Sequence, residues 1–452
     1  MALIVKIIFG LAGLGVMVFV HELGHFIAAK LMGIEVEAFS IGWGKKIFSF
    51  KRKETEYRVS LLPIGGYCKM KGEDAMKDAQ GIPAEKGSFF GVSPWRRIVV
   101  AAAGPGMNFL FAIFAFSLVW LIGFSYNTFS NRIVLESDYA PDAGGAAFPA
   151  TEGGLKTGDY ITAIDSQPIL TYRDLQDAVA MMPEKTLKIE YLRDGVKNTT
   201  NVTPLLNKET GAGKIGVYAW VEPLIGEVRA DSAAHIAGLA EGDRILSANG
   251  RDIPHTRLFY AILQESPGRT LALVCDREGQ VFETRYVPHS DAEGRFDLGF
   301  SFKSTQYSSR ETGLAGSLGR GVAETFQTLA VTVKSLGLLF RGIDLSQAVS
   351  GPLRITYFVG EVATQGFSRN FKSGVTSILN FLGLLSVALF FMNLLPIPAL
   401  DGGLILLFLI EGLRGKALAP RFVSRYQFVG VFCILLLAVL ATMSDVFYFF
   451  KM

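Results

Sequence analysis

Apolar residues are gathered into four long runs, and the stretches between them alternate or mix polar with apolar positions. The first run extends from about Leu3 to Leu31 and carries no charge between Ile7 and Val20. The second, Ile98 to Phe124, has no charged residue. The third, Val375 to Leu395, holds Asn380 and Asn393 as its strongly polar groups. The fourth, Phe428 to Phe450, holds Asp445 near its end, where it is expected to reach water. Each run is close to the ~20 residues a helix needs to cross a bilayer. A cleavable signal peptide is the rival reading of the first run, but no small-residue cleavage site follows Val20.

The intervening patterns differ. Phe39, Ile41 and Trp43 alternate, as do Tyr57, Val59 and Leu61, which predicts strands over Phe39 to Met70 with interruptions at Gly42 and Gly44. Pro63, Gly65 and Gly66 make a turn. Two readings stay open for this hairpin: a plain cytoplasmic element, or a small sheet beside the membrane that offers an edge strand to an extended peptide. Gly313 to Gly342 gathers Arg320, Glu324, Lys334 and Arg341 on one helical face, which suits a helix in the membrane interface, with a buried helix of the membrane domain as the alternative.

From about Ser125 to Phe302 the composition is that of a soluble domain, and it repeats. Gly154-Leu155-Lys156-Thr157-Gly158-Asp159 returns 84 positions later as Gly238-Leu239-Ala240-Glu241-Gly242-Asp243. In each copy Gly-Asp leads into a short apolar strand and then a helical stretch, around Tyr172 to Met181 and Leu258 to Gln264. The pattern resembles a tandem pair of PDZ domains of the bacterial, permuted kind, which bind chain termini or strands by β-addition. Leu224 to Val228 is a candidate carboxylate loop in the second copy. His235, His255 and His289 lack ligand-like spacing and are expected at the surface.

The expected division is 1–31, first span; 32–97, β-loop region; 98–124, second span; 125–221 and 222–305, the two repeats; 306–374, interface helices; 375–395, third span; 396–427, a loop with a short helix; and 428–450, fourth span. The fold class is a polytopic α-helical membrane protein with four transmembrane helices, a membrane-associated β-loop and two inserted β-rich domains. Composition agrees: half of the 452 residues are hydrophobic and 19% are charged. The net charge of +3 and the lack of a basic tail argue against nucleic acid as a partner. Three scattered cysteines suggest neither a disulfide framework nor a thiolate metal site. Lys45 to Lys71 with Arg96 and Arg97, and Arg414 to Arg425, mark two cytoplasmic loops, leaving both termini and the repeats outside the cytoplasm.

The chemistry sits at His21-Glu22-Leu23-Gly24-His25, at the inner end of the first run. Histidines four apart share one helix face, so both imidazoles can reach one metal ion. Glu22 is one residue round from His21 and can flank the ion as a general base. A third candidate follows the third run, in Asn393-Leu394-Leu395-Pro396-Ile397-Pro398-Ala399-Leu400-Asp401-Gly402-Gly403. An aspartate between apolar stretches needs a cation or a partner. Asp401 is therefore either a metal ligand or half of a salt bridge.

With His-Glu-x-x-His in one span and Asn-x-x-Pro-x-Pro-x-x-Asp-Gly at the end of another, the chain resembles the site-2 protease family of intramembrane zinc metalloproteases. The repeat between the second and third spans resembles its RseP-like subgroup. The resemblance implies Zn²⁺ held by His21, His25 and Asp401, with Glu22 as catalytic base. It implies substrate contacts at Asn393 and at a membrane-associated β-loop carrying Gly42, Trp43 and Gly44. The expected activity is hydrolysis of transmembrane segments of single-pass proteins, such as a pre-trimmed anti-sigma factor or signal-peptide remnants. The expected setting is a bacterial inner membrane, with the PDZ domains periplasmic and the active site in the lipid bilayer towards the cytoplasm. A metal transporter would also place His and Asp within the membrane, and a PDZ scaffold would keep the spans without needing the triad. Repeated halves among the spans would favour transport, and none is seen.

Overall fold

The computed structural model describes residues 2–73, 85–139, 148–207, 211–265, 267–290, 296–309, 313–339 and 351–450. It divides into two compact units, Met1–Phe124 with Ser309–Met452, and Ser125–Ser308.

The first unit is helical. Its elements are α1 (Ala2–Leu31), the hairpin β1 (Val36–Arg52) and β2 (Thr55–Met70), α2 (Pro94–Ile122), α3 (Leu314–Leu339), α4 (Pro352–Arg369), α5 (Phe371–Leu394), α6 (Asp401–Arg414) and α7 (Pro420–Phe450). Among the described residues, four helices, α1, α2, α5 and α7, are long and apolar enough to cross a membrane. They coincide with the four apolar runs. Three, α2, α5 and α7, start earlier than the apolar run, and in two of them the starting residue is explained by local chemistry. Pro94 occupies the first turn of α2, where its missing N–H costs nothing, and the Asn370 side chain accepts from the Ser373 N–H to cap α5.

Helices in lipid associate through small residues that let backbones approach. Gly13 of α1 lies against Val359 of α4, and Gly383 of α5 against Phe116 of α2. On α3, Ser317, Gly321 and Thr325 are buried at four-residue spacing, with Gly321 against Ser117 of α2. Part of the polar face of α3 also turns to α2: Trp120 donates to Glu324 at 2.5 Å, and the Arg320 guanidinium covers the Trp120 ring at 4.4 Å. Arg341 lies outside the described residues.

Asp445 overturns its expectation. It does not reach water but is fully buried, accepting from the Gly351 N–H at 2.8 Å and the Arg354 N–H at 3.0 Å beside the Arg354 side chain. The carboxylate thus caps the start of α4 and compensates a buried arginine.

The hairpin is folded over. Gly42 (φ 87°) and Gly44 (φ 89°) take a backbone conformation that favours glycine, and irregular pairing follows between Ile41 and Lys46. As a result Ala38 to Ile41 lie beside both Gly66 to Lys69 and Glu56 to Val59.

The second unit contains two matching lobes. One has a sheet ordered Gln167–Pro168, Tyr160–Ile164, Leu187–Arg193, Val196–Val202; the other is ordered Arg251–Asp252, Arg244–Ala248, Leu271–Arg277, Gln280–Tyr286. Helices Tyr172–Ala180 and Thr256–Glu265 bury an apolar face in each lobe's core. The repeated aspartates are buried and do equivalent work. Asp159 accepts from Arg193 and the Lys156 N–H, and Asp243 from Arg277 and the Ala240 N–H. Arg193 and Arg277 extend the repeat at the same offset.

His255 is also a correction. His235 and His289 are exposed as expected, but His255 is buried where the lobes meet. Its Nε2 lies 3.2 Å from the Tyr139 hydroxyl and its ring 4.6 Å from that of Trp220, itself covered by Arg132. Burial and then the Arg132 charge push the His255 pKa down.

Candidate active site

Three helices supply the site. His21 and His25 are one turn apart on α1, and Asp401 is the first residue of α6. A carboxylate at that end is favoured by the helix dipole. The turn into α6 is tight: a Cβ on Gly402 would meet the last carbonyls of α5, and one on Gly403 the Ile397 carbonyl. Ala399 takes a φ of 69° to complete it.

α2 closes the site from the other side. Gly24 lets α1 approach the Ala103 backbone, and Gly104 lies under both imidazoles, where a Cβ would collide with the His25 ring and lie 2.9 Å from His21 Cε1. Small residues such as Gly104 and Gly106 at the start of a span suggest close helix packing; the structure places Gly104 in the site itself. His25 Nδ1 donates to the Val100 carbonyl at 2.9 Å. Because a carbonyl only accepts, His25 Nε2 carries the lone pair.

Two imidazole nitrogens and the two oxygens of one carboxylate converge. His21 Nε2 and His25 Nε2 are 3.1 Å apart, His21 Nε2 is 3.2 Å from Asp401 Oδ2, and His25 Nε2 is 3.5 Å from Asp401 Oδ1. A tetrahedral zinc site with bonds near 2.05 Å has edges of about 3.3 Å. The observed separations bracket that value, so this donor set fits the ion. Among the described residues it is the one cluster of three or more His, Cys, Asp or Glu side chains with metal-ligand separations. No Lys or Arg among the described residues pairs with Asp401; its partners are the two imidazoles.

Glu22 is half-buried, and no hydrogen bond or ion pair holds its carboxylate among the described residues. Its Cγ lies 3.5 Å from where a Cβ of Gly66 would stand, so the β2 strand of the hairpin borders Glu22. Trp43, more than half exposed, covers Gly65 and meets Tyr67 edge to face at 5.9 Å. Gly42 and Gly44 shape the backbone around it. Asn393, half-buried on the last turn of α5, has no partner for its amide among the described residues. Asn108, from sequence a polar side chain able to bond across the helix bundle, is fully buried on α2 with its amide nitrogen 3.3 Å from His21 Nδ1, a place beside the site that the sequence does not show. Its signal was a lone polar residue in an otherwise apolar run.

Known proteins give the same picture. The family model described as Peptidase family M50 matches residues 9–437. A Treponema pallidum (strain Nichols) protein named as a candidate zinc metalloprotease is 39% identical, over 99% of this chain and all of that protein. The regulator of sigma-E protease RseP of Salmonella typhimurium (strain 14028s / SGSC 2262) is 32% identical over 96% of both chains. The protein of that name from Escherichia coli (strain K12) is 31% identical, over 96% of this chain and 97% of its own. Four apolar helices, a metal-fitting triad beside an unpaired glutamate and these full-length similarities converge: the chain is a membrane metallopeptidase of family M50.

Proposed function

We propose that His21, His25 and Asp401 hold Zn²⁺, that Glu22 is the catalytic base, and that the enzyme hydrolyses peptide bonds in membrane-spanning segments of single-pass proteins. The observation that carries this reading is the convergence of His21, His25 and Asp401 at separations near the edges of a tetrahedral zinc site, flanked on α1 by a carboxylate with no hydrogen bond or ion pair among the described residues. When bound, zinc supplies Lewis acidity towards water and the scissile carbonyl. Glu22 takes the proton from the attacking water and can deliver it to the leaving amine. With neutral imidazoles, the charges of Zn²⁺, Asp401 and Glu22 sum to zero, which limits the cost of a low-dielectric setting.

A helical substrate hides its scissile backbone, so it must unwind. The hairpin supports that step. The segment around Gly66 borders Glu22, and an extended peptide can add beside it through main-chain bonds. The free amide of Asn393 is suited to hold the same segment. Gly42, Trp43 and Gly44 act by setting the course of the hairpin.

The matched lobes of Ser125–Ser308 we read as PDZ domains, able to take a chain terminus or to exclude substrates with bulky outer domains. The basic loops support a topology with these lobes and both termini on the periplasmic face of a bacterial inner membrane. The names of the Salmonella and Escherichia relatives point to sigma-factor regulation, so an anti-sigma factor already trimmed outside the membrane is a fitting substrate. Signal-peptide remnants share its form.

The test is to incubate the purified, zinc-loaded enzyme with a trimmed single-pass protein and map the cut by mass spectrometry. A cut inside the span, lost to a zinc chelator and restored by zinc, is expected. A cut outside the span, or one indifferent to chelation, would overturn the reading.

A further inference from the structure

Both candidate ligand histidines are steadied from α2, about two turns apart on that helix. Val100 meets His25 Nδ1 through its carbonyl, and the side-chain amide of Asn108 lies against His21 Nδ1, with Nδ2 the nearer end at 3.3 Å. We infer that Asn108 is a positioning residue: its side-chain oxygen accepts the Nδ1 proton of His21 and so dedicates His21 Nε2 to the metal. The inference rests on the zinc reading above.

The argument is one of proton placement. A neutral imidazole carries one ring proton, and the nitrogen that ligates cannot hold it. His21 Nε2 faces His25 Nε2 and Asp401, so His21 as a ligand must carry its proton on Nδ1. That N–H is directed at Asn108, which is fully buried, so water is no alternative partner. The two ends of an amide exchange by a half-turn with almost no change in shape. As placed, the amide nitrogen is the end 3.3 Å from His21 Nδ1, and the oxygen, turned away, is buried with no hydrogen-bond partner, so the half-turn brings that unsatisfied acceptor to the Nδ1 proton. No second bond therefore opposes the orientation that presents oxygen to His21. Metal-bound histidines in general gain orientation and basicity from such an acceptor. The arrangement is asymmetric: His25 uses a backbone carbonyl that no substitution removes, whereas His21 depends on a side chain.

The test is zinc binding itself. Wild type, Asn108→Leu and Asn108→Asp are purified in detergent, loaded with zinc, and assayed for metal content and for zinc retention against a competing chelator. Circular dichroism and thermal melting report the fold. Leucine keeps the volume and removes the acceptor, so affinity should fall about 10–100-fold, as for other outer-shell partners. Aspartate keeps an acceptor and should bind as tightly as wild type or more tightly. If Asn108→Leu retains zinc like wild type, or if Asn108→Asp loses it as leucine does while folded, the positioning role is wrong and packing explains Asn108. If wild type itself takes up no zinc, the metal reading fails and this inference with it, a result distinct from the other two.

Discussion

Asp401 and Asp445 are both carboxylates set among apolar helices, and the chain uses them in opposite ways. Asp445 is surrounded by permanent donors: two backbone N–H groups and the Arg354 side chain. Asp401 faces two imidazoles, which can donate a proton or give a lone pair to a cation. An acid saturated by fixed donors acts as a clasp, here joining α7 to the start of α4. An acid whose partners are themselves ligands forms a site. Burial does not separate the two; the chemistry of the neighbours does.

Parallel substitutions sharpen that contrast. Asp401→Asn should cause the largest change, because it removes the anionic ligand. Zinc retention and cleavage should both fall by more than the ~10–100-fold typical of losing an outer-shell partner. Metal analysis alongside cleavage of a single-pass substrate checks this. Gly104→Ala should come next. A Cβ there enters the His25 ring, and displacement of catalytic groups by about 1 Å can cost ~100-fold. Activity should fall while circular dichroism stays that of a helical protein.

Asp445→Asn should leave the zinc content of folded protein unchanged. It removes the charge that compensates buried Arg354, and breaking such a pair by removing one partner costs about 3–5 kcal/mol. Denaturant unfolding in detergent measures the loss. If this variant instead releases zinc with its fold intact, the separation between clasp and site is false.

The smallest effect concerns His255. Burial and the Arg132 charge favour its neutral form, so its pKa in the folded protein lies below the unfolded value near 6.5. The unfolded state therefore binds more protons between those two values. Stability of the Ser125–Ser308 unit should be complete above pH ~6.5 and decline as pH falls towards the folded pKa. Thermal unfolding followed by Trp220 fluorescence should show a shallower acid decline in His255→Gln.

The spans, the strands and the repeat were legible because each writes a period or a duplicated string into the chain. The candidate metal cluster was legible for a related reason: His21, His25 and Asp401 are costly in apolar surroundings without a chemical purpose, and the structure brings them together. Contacts between elements far apart in sequence were not. Nothing local ties Asp445 to Arg354, so its position near the end of a run suggested water. Spacing likewise says nothing of Tyr139, Asn108 or Gly104 meeting histidines on other elements. A turn residue such as Gly66 reads only as a turn until the folded-over hairpin brings it beside Glu22.

The central claim is that Glu22 does the proton chemistry at a zinc site it does not itself build. The direct measurement compares wild type with Glu22→Gln for zinc content and for cleavage of a trimmed single-pass substrate. The account predicts one zinc per chain in both proteins and a loss of about 100- to 10,000-fold in cleavage by the variant. Equal cleavage by the two, with zinc bound, would contradict it.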